Sequence, residues 1–442
     1  MGPVSLQYGA EVSSDWYSLF HSVALNQLVQ AALDGNPDLE GARHALRASQ
    51  YELEAVAGTA LPRVQIDGRV ARSRVNGSLL YQPDENLQVT ANQFSAGPSL
   101  AYDLDVFGRL RRTIESQAAQ TSHARHEMLD VYVTLVDQVV ITAFDLAAVT
   151  EQIEVTRRLI SDQQQQYDLT QTLEQAGKVA RTETLQARAQ LETTRATLPT
   201  LEKQRDVYRN ALLKLLGRAP AEDAIPSIRL QELRLPAQLP VSLPSRLVRE
   251  RPDILEAEDA LHAASAAIGI AEAARFPSFN ISAQFAQQSI KTSDLFTPPA
   301  SIWSAGLGVA APLFEGGTLR ARQREAGERF IQARSEYRST VIGAFVEVTD
   351  ALQALRHDGD SYAAHETALA ASQANRELAT QEFERGSVNE LVVLTAEQQY
   401  QSAALSAIQA QAQRFADAAE LFRSLGGGWW NGSKNVAENK DE

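Results

Sequence analysis

The sequence predicts an α+β membrane protein built as an internal tandem duplication, with four strands and two long helical hairpins per chain. Three observations support this fold class. Similar phrases recur about half a chain apart, four stretches alternate apolar and polar residues, and residues 109–176 contain neither Gly nor Pro. These patterns are typical of internal repeats, half-buried strands and long uninterrupted helices, respectively.

The duplication begins with "NPDLEGARHAL" at Asn36 and "RPDILEAEDAL" at Arg251. Landmarks keep an offset of 215 residues early in the copies and 209 residues later. The matched landmarks are Pro37 with Pro252, Pro62 with Pro277, Gly177 with Gly386, and Leu216-Gly217 with Leu425-Gly426. The predicted segments are an N-terminal segment (1–35), the first copy (36–217), a proline-rich connector (218–250), the second copy (251–426) and a C-terminal tail (427–442).

Each copy is predicted to start with a helix. Asn36 is a favourable N-cap, Pro37 suits the first helical position, and Asp38 suits the positive end of the helix dipole. The second copy has Arg251 in place of Asn36 and therefore lacks this cap.

Two strands and a helical hairpin follow in each copy. Alternation at period two predicts the strands, and the polar segments 76–92 and 289–300 between them are expected to be loops. The predicted strands are about 63–75, 94–106, 278–288 and 302–314, and the predicted hairpins are 109–216 and 318–425.

Four strands cannot close a membrane barrel, because the smallest have about eight. An open sheet also leaves two unpaired edges. Three copies of the chain would supply twelve strands and bring twelve long helices side by side. We therefore expect a homotrimer with a twelve-stranded transmembrane β-barrel continued by an α-helical barrel.

Composition limits the function. The chain of 442 residues has 55 acidic and 41 basic residues, a formal charge of −14, which argues against nucleic-acid binding. Cysteine is absent, which excludes disulfides and thiolate sites. The start "MGPVSLQYGAEVSSDW" lacks the features of a signal peptide. No apolar run is expected to reach the roughly 18–20 residues of a membrane-spanning helix.

Four phrases carry a family resemblance: "YDLDVFGRLRR", "RPDILEAEDAL", "AAPLFEGGTLRA" and "SLGGGWW". With these phrases and this order of elements across about 20–430, the chain resembles the TolC family of outer-membrane factors. Within that family it is most similar to the NodT-like lipoprotein branch, which serves resistance-nodulation-division multidrug efflux pumps. Many relatives carry an N-terminal lipidated Cys, which this sequence lacks, so no lipid anchor is assigned.

The resemblance implies a homotrimeric channel in the outer membrane of a Gram-negative bacterium, surrounded by outer-membrane lipid. It implies a long periplasmic α-barrel and a mixed equatorial collar that includes a helix of segment 1–35 and the connector. The channel would conduct drugs or other small toxic compounds passively to the exterior. Its implied partners are a periplasmic adaptor (membrane fusion) protein and an inner-membrane resistance-nodulation-division transporter, with no cofactor.

In the family the gate lies at the periplasmic tip, where the hairpin turns converge. By the motif, Glu183 takes the place of an inward acidic residue that would constrict the pore and favour cations. Thr395 stands where relatives often have Asp, so an acidic ring is not expected there. Arg385, Asn389 and Glu390 are candidates for replacement links that hold the closed state. The alternative for all of these residues is a solvated turn.

The turns and the strand ends supply further candidates. The glycines of the turns are expected to have positive φ. Asp103 and Asp105, on the polar strand face, are candidates for lining the duct, with strand-end solvation as the alternative. The turn residues expected to dock the pump or adaptor are Gly177, Lys178, Gly386 and Ser387.

No catalytic or metal site is predicted. His123 and His126 lie three residues apart beside Glu127, but no third ligand is identifiable, so a solvated helix face is expected. No nucleophile elbow, phosphate loop or zinc-binding helix motif occurs. The alternatives to drug efflux are a heavy-metal efflux duct, a one-step protein secretion duct and, in a different class, a soluble coiled-coil scaffold. Two methionines give no sign of a soft-metal path.

Overall fold

The structure is a computed structural model that describes residues 5–9, 11–76, 88–220, 225–235, 238–241 and 244–431. The α-helices are α1 (Val23–Gly35), α2 (Pro37–Gly58), α3 (Arg109–Gln175), α4 (Arg181–Leu215), α5 (Pro244–Glu250), α6 (Pro252–Ala273), α7 (Thr318–Glu384) and α8 (Glu390–Ser424). The strands are β1 (Ser5–Tyr8), β2 (Arg63–Asn76), β3 (Gln88–Leu104), β4 (Gln238–Val241), β5 (Ser278–Ser289) and β6 (Ser301–Ala310).

Strands β2, β3, β5 and β6 form one antiparallel sheet in that order, which leaves β2 and β6 at its edges. Strand β3 pairs with β5 and so joins the two copies of the repeat. Strands β1 and β4 form a separate parallel pair, which no pattern in the sequence predicted.

Two strand boundaries differ from the prediction. Strand β3 begins at Gln88, six residues before the expected start, because its pairing with β2 continues to Asn76 opposite Gln88. The polar residues 88–92 are therefore strand, while 77–87 lie outside the described residues. Strand β6 ends at Ala310, short of the predicted 314. Pro312 follows closely, and proline has no N–H to donate to a ladder.

Gly97 allows β3 and β5 to approach closely. A Cβ at this position would lie 2.1 Å from the carbonyl oxygen of Phe285 and 2.5 Å from the Cα of Ala286. No side chain fits in such a space, so glycine is required where the two copies meet.

The chain divides into two compact units that do not follow the repeat, since each contains parts of both copies. Unit 1 comprises Met1–His44, His126–Leu255 and Ser339–Glu442, and unit 2 comprises Ala45–Arg125 and Glu256–Arg338.

Unit 1 contains an aromatic core. The ring of Trp16 stacks on Phe422 at a centroid distance of 5.0 Å, and Phe20 meets Phe144 edge to face, also at 5.0 Å. All four side chains are almost completely buried. The core therefore joins a short 3-10 helix near the start of the chain to α3 and α8.

The starts of the two copies are anchored by equivalent contacts. Asn36 Oδ1 accepts hydrogen bonds from the amides of Asp38 (2.9 Å) and Leu39 (3.0 Å), which confirms the predicted N-cap. Its Nδ2 donates to the carbonyl of Leu215 at 2.9 Å. In the second copy, Arg251 donates to the carbonyl of Ser424, 209 residues beyond Leu215, at 2.9 Å. Arginine has thus replaced the cap but kept the link to the end of the hairpin.

The buried guanidinium of Arg251 is neutralised by two carboxylates. Its Nη2 lies 2.7 Å from Asp253 Oδ2 and 2.9 Å from Glu347 Oε2. A charge removed from water requires such partners.

Helix α3 contains an 18-residue stretch that is long and apolar enough to cross a membrane, contrary to the expectation that no such stretch exists. Inside the protein 61% of that stretch is buried. Burial of this extent is typical of a core helix.

Candidate functional site

The two hairpin turns have the same backbone geometry. Gly177 and Gly386 have φ of 70° and 75°, which confirms the predicted positive φ. In each turn the glycine amide donates to the carbonyl three residues back at 2.8 Å, and the next amide donates to the carbonyl five residues back at 2.9 Å. This is the Schellman motif. The following amides belong to Lys178 and Ser387, both exposed at the turn.

Four of the five gate candidates lie at or near the surface of unit 1. Arg385 and Asn389 are exposed in the second turn, and Glu183 is half-buried in the first turn of α4. Thr395 is exposed, and its hydroxyl donates to the carbonyl of Leu391 in its own helix at 2.7 Å.

Glu390, the fifth candidate, is completely buried between the hairpins and is not an exposed turn link. Its Oε1 lies 2.7 Å from the hydroxyl oxygen of Thr170 on α3. That hydroxyl oxygen also lies 2.9 Å from the carbonyl of Gln166. A threonine hydroxyl carries one proton and cannot donate to two acceptors fully. Both contacts are satisfied when Glu390 is protonated and donates to Thr170, which then donates to Gln166.

The electrostatic surroundings favour the same protonation state. Burial raises the pKa of Glu390, and the negative charge of Glu183 on α4 adds to this effect. The neighbouring side chains of Thr170 and Gln166 oppose this shift. Among the described residues, no partner reaches Glu390 Oε2. A charged carboxylate buried here would lose its bound water, and hydrogen bonds from the protein would replace only part of that water.

A second buried carboxyl lies two turns further along α8. Glu397 is 7% exposed, and burial raises its pKa to about 7, with Asp162 and Glu390 contributing and Arg376 opposing. The guanidinium of Arg376 lies 4.3 Å from the centre of the Tyr400 ring and 3.7 Å from Asp162 Oδ2. A protonatable pair therefore lies inside the paired hairpins, near their turns.

Thr170, Glu397 and Arg376 were not predicted from the sequence. A signal exists in "ELVVLTAEQQY", where Glu390 and Glu397 are seven residues apart and share a helix face with the buried Val393. Acidic residues on an apolar helical face indicate a buried polar contact. The partners come from other helices and leave no such signal.

The two aspartates of the first strand pair have different surroundings. Asp103 is exposed near the end of β3. The carboxylate of Asp105 accepts hydrogen bonds from the amides of Leu110 (2.9 Å) and Arg111 (2.8 Å), at the start of α3. Asp105 thus stabilises the strand-to-helix connection, and duct lining by either residue stays a prediction.

His123 contacts the start of α6. Its Nδ1 lies 3.1 Å from the carbonyl oxygen of Glu256, and its Nε2 lies 3.6 Å from Glu256 Oε1. Within the described ranges, no group of three His, Cys, Asp or Glu could hold a metal ion.

One face of the sheet is apolar and exposed in the single chain. Ile66, Trp303 and Leu307 have 85%, 78% and 65% of their surface exposed. The register places Phe285 opposite Trp303 and Ile281 opposite Leu307, so apolar residues of adjacent strands share this face. The opposite face carries polar residues, among them Gln65, Asp67, Ser99, Asp103, Asn280 and Ser282.

This fold is that of outer-membrane channels. The chain superposes on the outer-membrane channel OprN with a TM-score of 0.89 and 29% sequence identity, covering 95% of this chain and 94% of that chain. A model of the outer membrane efflux protein family matches residues 28–218 and 243–427, and the chain belongs to this family.

Individual relatives agree with this assignment. The chain is 30% identical to outer membrane protein OprJ of Pseudomonas aeruginosa, over 98% of this chain and 91% of OprJ. It is 29% identical to cation efflux system protein CusC of Escherichia coli, over 94% of this chain and 89% of CusC. The family resemblance and the expected outer-membrane location are thereby confirmed, and the protein is a transport component, not an enzyme.

Proposed function

We propose that the protein is a homotrimeric exit duct of a tripartite efflux pump, conducting small toxic compounds passively from the periplasm to the exterior. The observation that carries this proposal is the exposed apolar face of the four-stranded sheet, opposite a polar face. An apolar face of this size on a soluble monomer would be a liability. Lipid outside and water inside would satisfy both faces.

The apolar face has the dimensions of a membrane band. In β3 it runs from Leu104 to Phe94, a span of ten residue-to-residue steps along the strand. At ~3.4 Å per residue this is roughly 34 Å, and a strand tilt of about 40° gives a height of about 26 Å. Transmembrane barrels have apolar bands of about 25 Å.

The free edges favour trimerisation. Among the described strands of the chain, β2 and β6 each have one neighbour. Pairing β2 of one chain with β6 of the next would close a barrel, and three chains would supply twelve strands. A mixed collar and a periplasmic helical barrel would follow from the family architecture.

For the cargo we propose drugs and other small organic compounds. The names of the relatives mention two classes of cargo, antibiotics and cations. These relatives are "Antibiotic efflux pump outer membrane protein ArpC" at 28% identity and "Cation efflux system protein CusC" at 29%. Metal cations are therefore the second candidate. Susceptibility of a deletion strain, with and without the gene restored, to antibiotics, solvents and metal salts separates them. Restored resistance to metal salts alone would overturn the proposed cargo.

We place the gate at the hairpin turns and assign pump or adaptor docking to the same turns. Glu183 is the proposed pore-facing acid, and Arg385, Asn389 and Thr395 of the second hairpin are the further gate candidates. Glu183→Ala should raise the conductance of the reconstituted pore and lower its preference for cations. Unchanged conductance would remove Glu183 from the gate. Substituting Lys178 should weaken adaptor binding without changing conductance.

The assembly is tested by electron microscopy and light scattering of detergent-purified protein. Threefold hollow particles with the mass of three chains are expected. Monomeric or dimeric particles that stay soluble without detergent would overturn the barrel and favour a coiled-coil scaffold.

A further inference from the structure

We propose that Arg72 and Arg74 form a binding site for the phosphate groups of anionic lipid in the outer leaflet. This inference rests on the proposed membrane barrel and adds to it a lipid-recognition site on a particular strand. Arg72 and Arg74 lie on β2 and both side chains are exposed.

Register places both arginines on the apolar face. Residues of β2 alternate between faces, and Val64, Ile66 and Val70 are 70%, 85% and 75% exposed. Arg72 and Arg74 continue the same even-numbered series. Because side chains alternate with a period of two, the series that faces lipid ends in two arginines.

Their position along the strand lies beyond the apolar band. The band on β3 ends at Phe94, which pairs with Val70. The next residues of β3 on this face are Asn92 and Thr90, opposite Arg72 and Arg74. The apolar face thus gives way to a polar rim at the point where about 26 Å of height has been reached.

This rim lies at the end of the sheet away from the helices. Strand β2 begins at Arg63 after α2, and β3 ends at Leu104 before α3. The arginines lie towards the other end, next to the connection 77–87. With the helices on the periplasmic side, this end faces the exterior.

Energetics agree with a headgroup location. An arginine on the lipid face costs roughly 2–4 kcal/mol at the bilayer midplane but only about 0–1 kcal/mol near the interface. Guanidinium groups bind phosphate with two parallel hydrogen bonds. Two of them lie two residues apart on one face of the strand, about 7 Å at ~3.4 Å per residue. The chain as a whole is strongly acidic, with a charge of −14, so this local positive rim is not a general surface property.

Native mass spectrometry of the trimer tests the site, with synthetic bisphosphorylated lipid A and its dephosphorylated form as probes. Wild-type protein should retain the bisphosphorylated lipid at least about tenfold more than the dephosphorylated form. Arg72→Gln with Arg74→Gln should remove this preference. Arg69→Gln is the matched control, because Arg69 lies on the same strand but on the polar face.

If the wild-type trimer retains both lipids equally, that measurement alone refutes the proposed phosphate site. Retention by the double variant equal to wild type would overturn it as well. Conductance and trimer mass are recorded on the same samples. Absence of a conducting trimer in the wild type would instead overturn the proposed function.

Discussion

Replacing the buried carboxyl of Glu397 should remove a pH dependence from the packing of the two hairpins. Glu397 is 7% exposed, and its pKa is raised to about 7 by burial. Asp162 of α3 and Glu390 of α8 are acidic neighbours that raise this pKa further, and Arg376 of α7 opposes them. The glutamine side chain in Glu397→Gln has nearly the same shape as glutamate but carries no charge at any pH.

The sign follows from the raised pKa. Protonated Glu397 stabilises the packing of the hairpins. This stabilisation is fully present below pH 4.5, the ordinary pKa of a glutamate, and is lost as the pH rises through about 7. Each tenfold step in proton affinity corresponds to about 1.4 kcal/mol, so the full loss is roughly 3 kcal/mol. Between pH 5 and pH 8 about 2–3 kcal/mol of this should disappear, equivalent to roughly 30–150-fold in a local opening equilibrium.

Hydrogen–deuterium exchange of peptides covering 160–175 and 390–400 measures this opening, after correction for the intrinsic pH dependence of exchange. Wild-type protection should fall between pH 5 and pH 8, while Glu397→Gln should lose much less protection, because Glu390 is then the remaining buried carboxyl of the pair. Glu384→Gln is the control, because Glu384 is exposed near the end of α7. If Glu397→Gln loses protection with pH as steeply as the wild type, Glu397 is not the titrating group.

Three further outcomes are expected. Thr170→Val should destabilise the hairpin contact by about 1–3 kcal/mol, because it removes the hydroxyl that contacts the buried Glu390. The control is Thr172→Val at an exposed position, which should change stability little in the same exchange experiment. Gly386→Ala should lower the free energy of unfolding by about 1–2 kcal/mol, measured by thermal unfolding, because φ is positive at this residue. The control is Gly359→Ala inside α7, where a Cβ meets no other atom, and this variant should be neutral or stabilise by up to about 1 kcal/mol. Gly97→Val should abolish heat-modifiable trimer on gels, and assembly at wild-type yield would refute the close approach of β3 and β5.

The turn geometry of the candidate site could be predicted from the sequence because it depends on local backbone requirements. A glycine after a long helix predicts a turn with positive φ, and both Gly177 and Gly386 have it. Glu390 was predicted as a turn residue with a link to a neighbour. Its complete burial against Thr170, 220 residues away, could not be predicted, because local pattern does not reveal which helix packs against it.

The sequence by itself determined the strand faces, the long helices and the helix cap at Asn36, and it predicted the duplication. Periodicity, capping chemistry and glycine conformation act within a few residues, so each can be recognised in a short stretch of sequence. Only the tertiary structure decided that β3 pairs with β5, that Arg251 reaches the carbonyl of Ser424, and that Glu397 lies beside Arg376. These contacts join segments distant in the chain, and their energies depend on burial and spacing that exist only after the segments have packed together.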